Sequence, residues 1–208
     1  MLSSLRRAGA DAAPGSRAPF HAPLFHDLIA RLEPDERHVV LDLGVASTAM
    51  LALLGQGRCR VEIADLAHFG GVDRLNSMEP GPALVGAGEA LLPNRCSADV
   101  VDLVFCWDLP NYLTLDALSA LMLAIGQRAG PGALAHALIA YSDRDMREEP
   151  GCFVPTPDGE LMDLSAAGNA VAAPRYSPED LGMNMGGFVI ERARLLSNGM
   201  QEFLFRLE

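Results

Sequence analysis

The sequence contains no lysine: all 16 of its basic residues are arginine. A lysine Schiff base, a P-loop lysine and the lysine of a protein kinase are therefore excluded as sources of activity. Acidic residues number 27, so the formal net charge is -11. This balance argues against non-specific binding to nucleic acids or anionic membranes, because both interactions need a positive protein surface.

Metal-binding patterns are also lacking. The chain has 4 cysteines and 5 histidines, but no pair of them follows CxxC or HxxxH spacing. We therefore predict no metal site, and we expect cysteines near core strands to act as small apolar residues. No secretory leader is recognisable, and no uncharged apolar run approaches the roughly 20 residues of a membrane helix. The expected location is the cytoplasm, where thiols stay reduced.

The length and apolar content of the chain indicate one folded unit. The sequence has 208 residues, of which 50% are hydrophobic, and this is enough for a sizeable core. Residues 1–19 are small, polar and interrupted by Pro14, Gly15 and Pro19, which predicts a flexible amino-terminal arm. Residues 20–208 are predicted to form a single domain.

Hydrophobic periodicity divides this domain into alternating helices and strands. Helices are predicted over 20–32, 48–54 with Ser47 as cap, 114–128 with Thr114 as cap, and from Ser177 onwards. Strands are predicted over 38–43, 60–64, 99–106 and 134–141, followed by a hairpin of 188–195 with 200–207. Residues 66–95 are rich in glycine and proline, so we expect only a short helix and a short strand near 83–85.

This order predicts an α/β fold: a Rossmann-like, mostly parallel sheet with helices on both faces and a carboxyl-terminal antiparallel β-hairpin. One long segment does not fit the alternation. Residues 142–176 are charged and contain prolines, and segments of this length are usually functional or disordered. We predict that 142–176 is an insertion.

The most informative motif joins the first two predicted strands. An apolar run ends in Asp42-Leu43-Gly44, a short helical pattern follows, and the next strand ends at Asp65. A nucleotide-binding βαβ unit has this layout, with a backbone turn for the ligand and a carboxylate for ribose hydroxyls. The motif predicts a cofactor site at the carboxyl ends of these strands.

In the order and content of these segments, residues 20–208 resemble the class I S-adenosylmethionine-dependent methyltransferases. The run 39–44 is similar to the first motif of that family, and Asp65 stands where the family places its ribose-binding acid. The run 102–105 is similar to its fourth strand, and 123–134 to the helix and turn before its fifth strand. The terminal stretch 186–189 with the hairpin is similar to the family's "GF" strand.

The resemblance implies S-adenosylmethionine as cofactor and assigns roles by position. Asp42, Gly44 and Ala46 would line its methionine end, and Asp65 would bind the ribose. Glu89 or its neighbours would face the adenine. These are expectations of the resemblance, and local backbone capping is the alternative role for both Asp42 and Asp65.

The residues after the predicted strand 99–106, which resembles the family's fourth strand, would form the floor of the acceptor site. Trp107 would stack on the adenine or wall that site, unless it is simply part of the core. Asp108, Asn111 and Tyr112 would orient or deprotonate the methyl acceptor, although a turn into a helix needs no such role. They do not spell the D/N-PPY signature of amino-group methyltransferases. The acceptor, whether a small molecule or a protein, is therefore left open.

The first turn departs from the family pattern at two positions. Methyltransferases usually carry Gly-x-Gly-x-Gly there, which lets the backbone approach the ligand, whereas this chain has Gly44, Ala46 and Thr48. A nicotinamide site is a weaker alternative, since 44–49 is a GxGxxG pattern with two alanines and Asp65 is suitably spaced. Asp42 and the closing hairpin favour the methyltransferase interpretation.

Two functions therefore compete. The first is methyl transfer from S-adenosylmethionine, with 142–176 as a lid that shapes acceptor specificity and carries Asp143, Arg144, Asp145 and Arg147 at its start. The second is a catalytically inactive pseudo-methyltransferase that acts through contacts with a protein partner. A cofactor volume filled by Thr48 or by residues 66–95 would favour the second function, and an open cleft beside Gly44 and Asp65 would favour the first.

Overall fold

A six-stranded sheet forms the centre of the molecule in the computed structural model, which describes residues 18–208 except 34, 96–98, 143 and 167. Its strands are β1 (Arg37–Asp42), β2 (Arg58–Ile63), β3 (Val101–Trp107), β4 (Ala129–Ala140), β9 (Phe188–Leu195) and β10 (Met200–Leu207). The order across the sheet is β2-β1-β3-β4-β10-β9. The first four are parallel, and β10 runs antiparallel to both β4 and β9. The predicted Rossmann-like fold with its carboxyl-terminal hairpin is confirmed.

Helices cover both faces of this sheet. They are α1 (Pro23–Ala30), α2 (Thr48–Leu54), α3 (Gly71–Asn76), α4 (Pro82–Leu91), α5 (Leu115–Gly126) and α6 (Pro178–Asn184). One core cluster joins α1 and α2 to one face through side chains that include Phe25 and Met50. The other cluster packs the four helices α3, α4, α5 and α6 against the opposite face, through side chains that include Leu75, Leu121 and Leu181. The buried strands therefore read as continuous apolar runs in the sequence.

Local signals explain where the helices begin. The Ser47 hydroxyl accepts from the backbone N–H of Met50, and the Thr114 hydroxyl accepts from that of Ala117. Ser177 and Asp180 form a reciprocal capping box at α6. These predicted caps are confirmed, since each satisfies a backbone donor that a helix leaves without an intrahelical partner.

A buried carboxylate fixes the start of α1. Glu202 of β10 is fully buried and accepts from the N–H groups of Leu24 and Phe25 at 2.9 and 2.7 Å. His136 Nε2 lies 2.9 Å from the same carboxylate. The sequence signals did not reveal this link, because the partners are more than 170 residues apart in the chain. It ties α1 to the hairpin and so holds α1 against the sheet.

Two expectations need correction. The predicted strand near 83–85 is wrong, because these residues lie within α4. Gly88 of that helix lies against α5, where an added Cβ would meet the Leu121 Cα at 3.3 Å, so this glycine serves helix packing. The β4 strand begins at Ala129 rather than 134, since the glycine–proline stretch forms an irregularity within the strand.

Residues 142–176 are not structureless. They hold β5 (Asp145–Arg147), β6 (Phe153–Pro155), β7 (Leu161–Asp163) and β8 (Ala170–Ala172), paired as β5-β8 and β6-β7. Of the predicted amino-terminal arm, only residues 18 and 19 fall within the described residues, and Asp143 also lies outside them. No helix in the described part of the chain is long and apolar enough to cross a membrane.

Candidate cofactor and acceptor site

The carboxyl ends of β1, β2 and β3 meet at one edge of the sheet. The strands run parallel here, but the order in which they are added reverses, because β2 lies on one side of β1 and β3 on the other. Open α/β sheets bind ligands at such a switch point. Asp42 ends β1, Asp65 follows β2, and Trp107 ends β3. The fold therefore brings three of the predicted cofactor residues to one crevice.

Asp42 is the last residue of β1 at this edge of the sheet and is only 2% exposed. Its Oδ1 accepts from the backbone N–H of Gly44 at 2.9 Å and from the indole Nε1–H of Trp107 at 2.7 Å. Burial raises the pKa of the Asp42 carboxyl, and the two hydrogen bonds oppose that rise. The Asp42 carboxylate is therefore already hydrogen-bonded to two groups of the protein itself.

The Trp107 indole fills the space over Gly44. A Cβ added at Gly44 would lie 2.6 Å from Trp107 Cδ1, so only glycine permits this approach. The indole is stacked on Phe105 with ring centroids 5.3 Å apart, and on Phe153 at 6.0 Å. Trp107 also has a φ of +51°, a left-handed conformation that is uncommon for a bulky residue. Such strain persists only where the surroundings hold it, and it is frequent at functional sites.

Asp65 marks the outer rim of the crevice. Its φ is +44°, and its carboxylate lies 3.0 Å from Nδ1 of His68. The Asp65 side chain is 20% exposed, so it remains within reach of a ligand. Phe69, close by in the chain, is 79% exposed. The residues after β2 therefore offer an accessible carboxylate, that of Asp65, and an exposed aromatic ring, that of Phe69.

Neither of the two departures from the glycine pattern is packed into the core. Ala46 and Thr48 are both exposed, and Thr48 is the first residue of α2. Residues 71–76 and 82–91 form helices. The side chain that occupies the space over Gly44 is that of Trp107. The sequence pattern indicated only Thr48 and residues 66–95 for this position.

Asn111 is committed to the backbone. Its amide nitrogen donates to the carbonyls of Asp108 and Leu138 at 2.7 and 2.8 Å, and its oxygen accepts from the N–H of Ala140 at 2.8 Å. The residue is 5% exposed. We therefore assign Asn111 to holding the 3-10 helix Leu109–Tyr112 against the end of β4.

Tyr112 and Asp108 contact the 142–176 segment. The Tyr112 hydroxyl donates to the Glu149 carbonyl at 2.8 Å, and burial together with the negative charge of Asp108 raises the pKa of this phenol. Asp108 accepts from the N–H of Gly151 at 2.9 and 3.0 Å through its two oxygens. Burial raises the pKa of Asp108 to about 7, although the Gly151 hydrogen bond and the Arg147 charge oppose this.

Glu89 does not join the crevice. Its carboxylate pairs with the Arg128 guanidinium, whose Nε donates to both oxygens at 2.9 Å. Arg128 directly precedes β4, and its carbonyl accepts from the N–H of Val101 at the amino end of β3. Since α4 runs back toward the amino ends of the strands, Glu89 lies at the edge of the sheet opposite Asp42. An adenine-facing position for Glu89 does not agree with this geometry.

The important residues that sequence reasoning missed are Gly151 and Phe153. Both lie in a segment with no helical or strand periodicity, so only its unusual length drew attention to it. Two surface cavities, of about 250 and 230 Å3, are lined in part by this segment, and neither includes Asp42, Gly44 or Asp65. Among the described residues, no group of three His, Cys, Asp or Glu side chains could hold a metal ion.

Comparison with solved structures identifies the fold. The chain matches the pyocyanin biosynthetic protein PhzM with a TM-score of 0.50 and 15% identity over 88% of its length. It matches an S-adenosylmethionine-dependent methyltransferase from Clostridium acetobutylicum with a TM-score of 0.50 and 15% identity. This second match covers 88% of this chain and 90% of the other.

The chain has the fold of the class I S-adenosylmethionine-dependent methyltransferases. It spans only 54% of the length of PhzM. No protein-family model matches the sequence, and a search of curated proteins found no match. At 15% identity these structures establish the methyltransferase fold alone, and a fold does not by itself assign an activity.

Proposed function

We propose that this protein binds S-adenosylmethionine at the crevice between β1, β2 and β3 and transfers its methyl group to a small-molecule or protein acceptor. The observation that carries this proposal is the convergence of the Asp42–Gly44 turn and Asp65 at the switch point of a methyltransferase fold. Residues 20–208 would act as one domain in the cytoplasm. Solved methyltransferases of the same fold support the proposal at the level of reaction class.

The residues of the crevice fit the cofactor at its two ends in different ways. At the ribose end, the Asp65 carboxylate is partly exposed and can accept hydrogen bonds from hydroxyl groups. At the methionine end, Gly44 leaves room for a group to lie against the backbone, and the indole of Trp107 occupies that space. A ligand that reaches Asp42 would have to replace that indole.

Methyl transfer makes modest demands on the protein. The bound cofactor supplies an already activated sulfonium methyl group. The chain has to align the acceptor, exclude water and, for a hydroxyl or amine acceptor, remove a proton. Asp108 suits the last task, because a carboxyl whose pKa is about 7 is close to half ionised at neutral pH. Tyr112 and Asn111 would position Asp108 and the short helix that follows it.

A second candidate function rests on the same tryptophan. Trp107 is 4% exposed and hydrogen-bonded to Asp42, so a permanently seated indole would exclude the methionine end of the cofactor. The protein would then be a pseudo-methyltransferase that acts through contacts with another protein. The two functions differ in one physical property, which is whether Trp107 leaves its place.

Isothermal titration of the purified protein with S-adenosylmethionine and S-adenosylhomocysteine tests the proposal, with NAD as the control ligand. Micromolar binding of the first two ligands, without binding of NAD, is the expected result. The matched variant is Trp107→Ala, which empties the space over Gly44. Binding by this variant alone would favour the second candidate, and no binding by either protein would remove S-adenosylmethionine from consideration.

A further inference from the structure

Residues 144–173, described except for residue 167, form strands that do not join the main sheet, although Phe153 and Leu161 pack in the same core cluster as Trp107. Their strands pair with one another, β5 with β8 and β6 with β7, and none joins the six-stranded ladder. An isolated bridge between Phe20 and Leu161, with mutual backbone hydrogen bonds of 2.8 and 2.9 Å, connects this unit to the chain before α1. We call residues 144–173 the cover.

The cover is held over the crevice mainly by side-chain contacts. The Phe153 ring lies on Trp107, with an angle of 15° between the ring planes. The N–H of Gly151 donates to both Asp108 oxygens, and the Tyr112 hydroxyl donates to a carbonyl of the cover. Arg147 lies 3.0 Å from Asp163 within the cover and 4.0 Å from Asp108 outside it. Breaking these contacts would leave every hydrogen bond of the central ladder in place.

Trp107 links the cover to the Asp42–Gly44 turn. Its indole is stacked on Phe105 of its own strand and on Phe153 of the cover, and its Nε1–H reaches Asp42. Because Trp107 is already held in a strained left-handed conformation, loss of the contact with Phe153 would remove one of the interactions that keep it there.

We propose that residues 144–173 are a hinged cover of the crevice, which swings away and lets Trp107 turn out from Gly44 when a ligand enters. That the ligand is S-adenosylmethionine rests on the function proposed above. The cover itself rests on the separate ladders and on the contacts grouped around Trp107 and Asp108. Opening would expose Asp42 and Gly44, and closing would exclude water from the site.

The protonation of Asp108 is coupled to the opening of the cover. The groups that face its carboxylate are the Gly151 N–H, the Arg147 guanidinium, the Asp163 carboxylate and the Tyr112 hydroxyl. Burial under the cover raises the pKa of Asp108 to about 7. Ionisation of this carboxyl is therefore easier when the cover is open and water reaches it, so higher pH favours opening and lower pH favours closing.

The chain offers a built-in reporter, because Trp107 is its only tryptophan. Acrylamide quenching of tryptophan emission therefore measures access to the crevice alone. The loosening variant is Arg147→Ala, which removes the ion pair with Asp163 and the charge near Asp108 without touching the indole. Its matched control is Arg192→Ala, which removes a 2.7 Å ion pair with Asp27 elsewhere on the surface.

We expect the quenching constant to rise at least about threefold in Arg147→Ala and to stay near wild type in Arg192→Ala, because only the first change favours local opening. Tyr112→Phe is the second loosening variant, and it should act in the same direction. Equal quenching in the wild type and both loosening variants would overturn the cover, as would an equal rise in Arg192→Ala.

Titration with S-adenosylhomocysteine, followed by both calorimetry and tryptophan emission, separates the cover from the proposed function. Binding together with increased quenching supports both. Binding while Trp107 stays protected supports the cofactor but overturns the cover. If calorimetry detects no binding, the cofactor proposal fails, and the quenching of the loosening variants alone decides whether the cover opens.

Discussion

The indole Nε1–H of Trp107 donates a 2.7 Å hydrogen bond to Oδ1 of Asp42, which lies 65 residues earlier in the chain. This bond joins the ends of two adjacent parallel strands across the crevice where the methyltransferase fold binds its ligand. It satisfies a buried carboxylate and, at the same time, fixes an indole over the glycine of the first turn. The same pair of side chains therefore both satisfies a buried carboxylate and occupies the space over Gly44.

Trp107→Phe should destabilise the protein by about 1–3 kcal/mol, because the buried Asp42 carboxylate loses its indole donor while an aromatic ring is kept in the stack. Urea unfolding of Trp107→Phe, Asp42→Asn and the double variant measures this. If the bond is responsible, the double variant should lose less than the sum of the two single changes. Strictly additive losses would mean that the hydrogen bond contributes little.

Asp65→Asn and Asp65→Ala should each weaken S-adenosylmethionine binding at least tenfold, about 1.4 kcal/mol, if the carboxylate binds the ribose. Asparagine adopts the left-handed backbone of this position more readily than alanine, for which it costs about 1–2 kcal/mol, so Asn isolates the effect of the charge. Calorimetry measures the affinity, and thermal unfolding measures the backbone contribution. Unchanged affinity in Asp65→Asn would remove this carboxylate from the site.

Asp108→Asn should change how stability depends on pH. The pKa of Asp108 is raised from 3.8 to about 7 by burial, so the folded state binds a proton that the unfolded chain has already lost between these values. Wild-type stability should therefore fall as pH rises from about 4 to 7, by at most about 1.4 kcal/mol per pH unit from this group. The variant should lack that component. If the free energy of unfolding changed with pH in the same way in the wild type and the variant, the raised pKa of Asp108 would be contradicted.

Asn111→Ala should lower the free energy of unfolding by about 2–4 kcal/mol, because three hydrogen bonds to buried backbone groups are lost together. Asn169→Ala is the control, since it removes only one exposed hydrogen bond to Glu148. Chemical denaturation of the two variants compares them. A loss of stability in Asn111→Ala no greater than in the control would show that this amide is not structural.

Much of the fold could be predicted because its signals are local. Thr114 begins α5 as expected, since the cap and the apolar stripe lie within one short window of sequence. The region 66–95 could not be predicted in the same way. Its glycines indicate chain breaks in isolation, but Gly88 is needed where α4 approaches α5, a contact between helices that no local pattern encodes.

The residues of the candidate site also fall into two groups, those that the sequence could assign and those that it could not. Asp42, Gly44 and Asp65 could be assigned to one crevice from the sequence, because parallel strands must bring their carboxyl ends to the same edge. The assignment of Glu89 to that crevice is wrong, because α4 brings it to the opposite edge of the sheet, where it pairs with Arg128, 39 residues away in the chain. For the same reason, the contact between Phe153 and Trp107 had no signal in the sequence.

The amino-acid sequence by itself determined the layered α/β architecture, the succession of its main strands along the chain and the sheet edge at which Asp42, Gly44 and Asp65 lie. These properties follow from the period of the apolar residues, from capping residues and from the turn after β1, all of which act over short distances along the chain. Only the tertiary structure decided that Trp107 lies over Gly44, that Asp108 is buried, and that Phe153 contacts Trp107 while Gly151 contacts Asp108. These are contacts between side chains far apart in sequence, and their geometry depends on how the whole molecule packs.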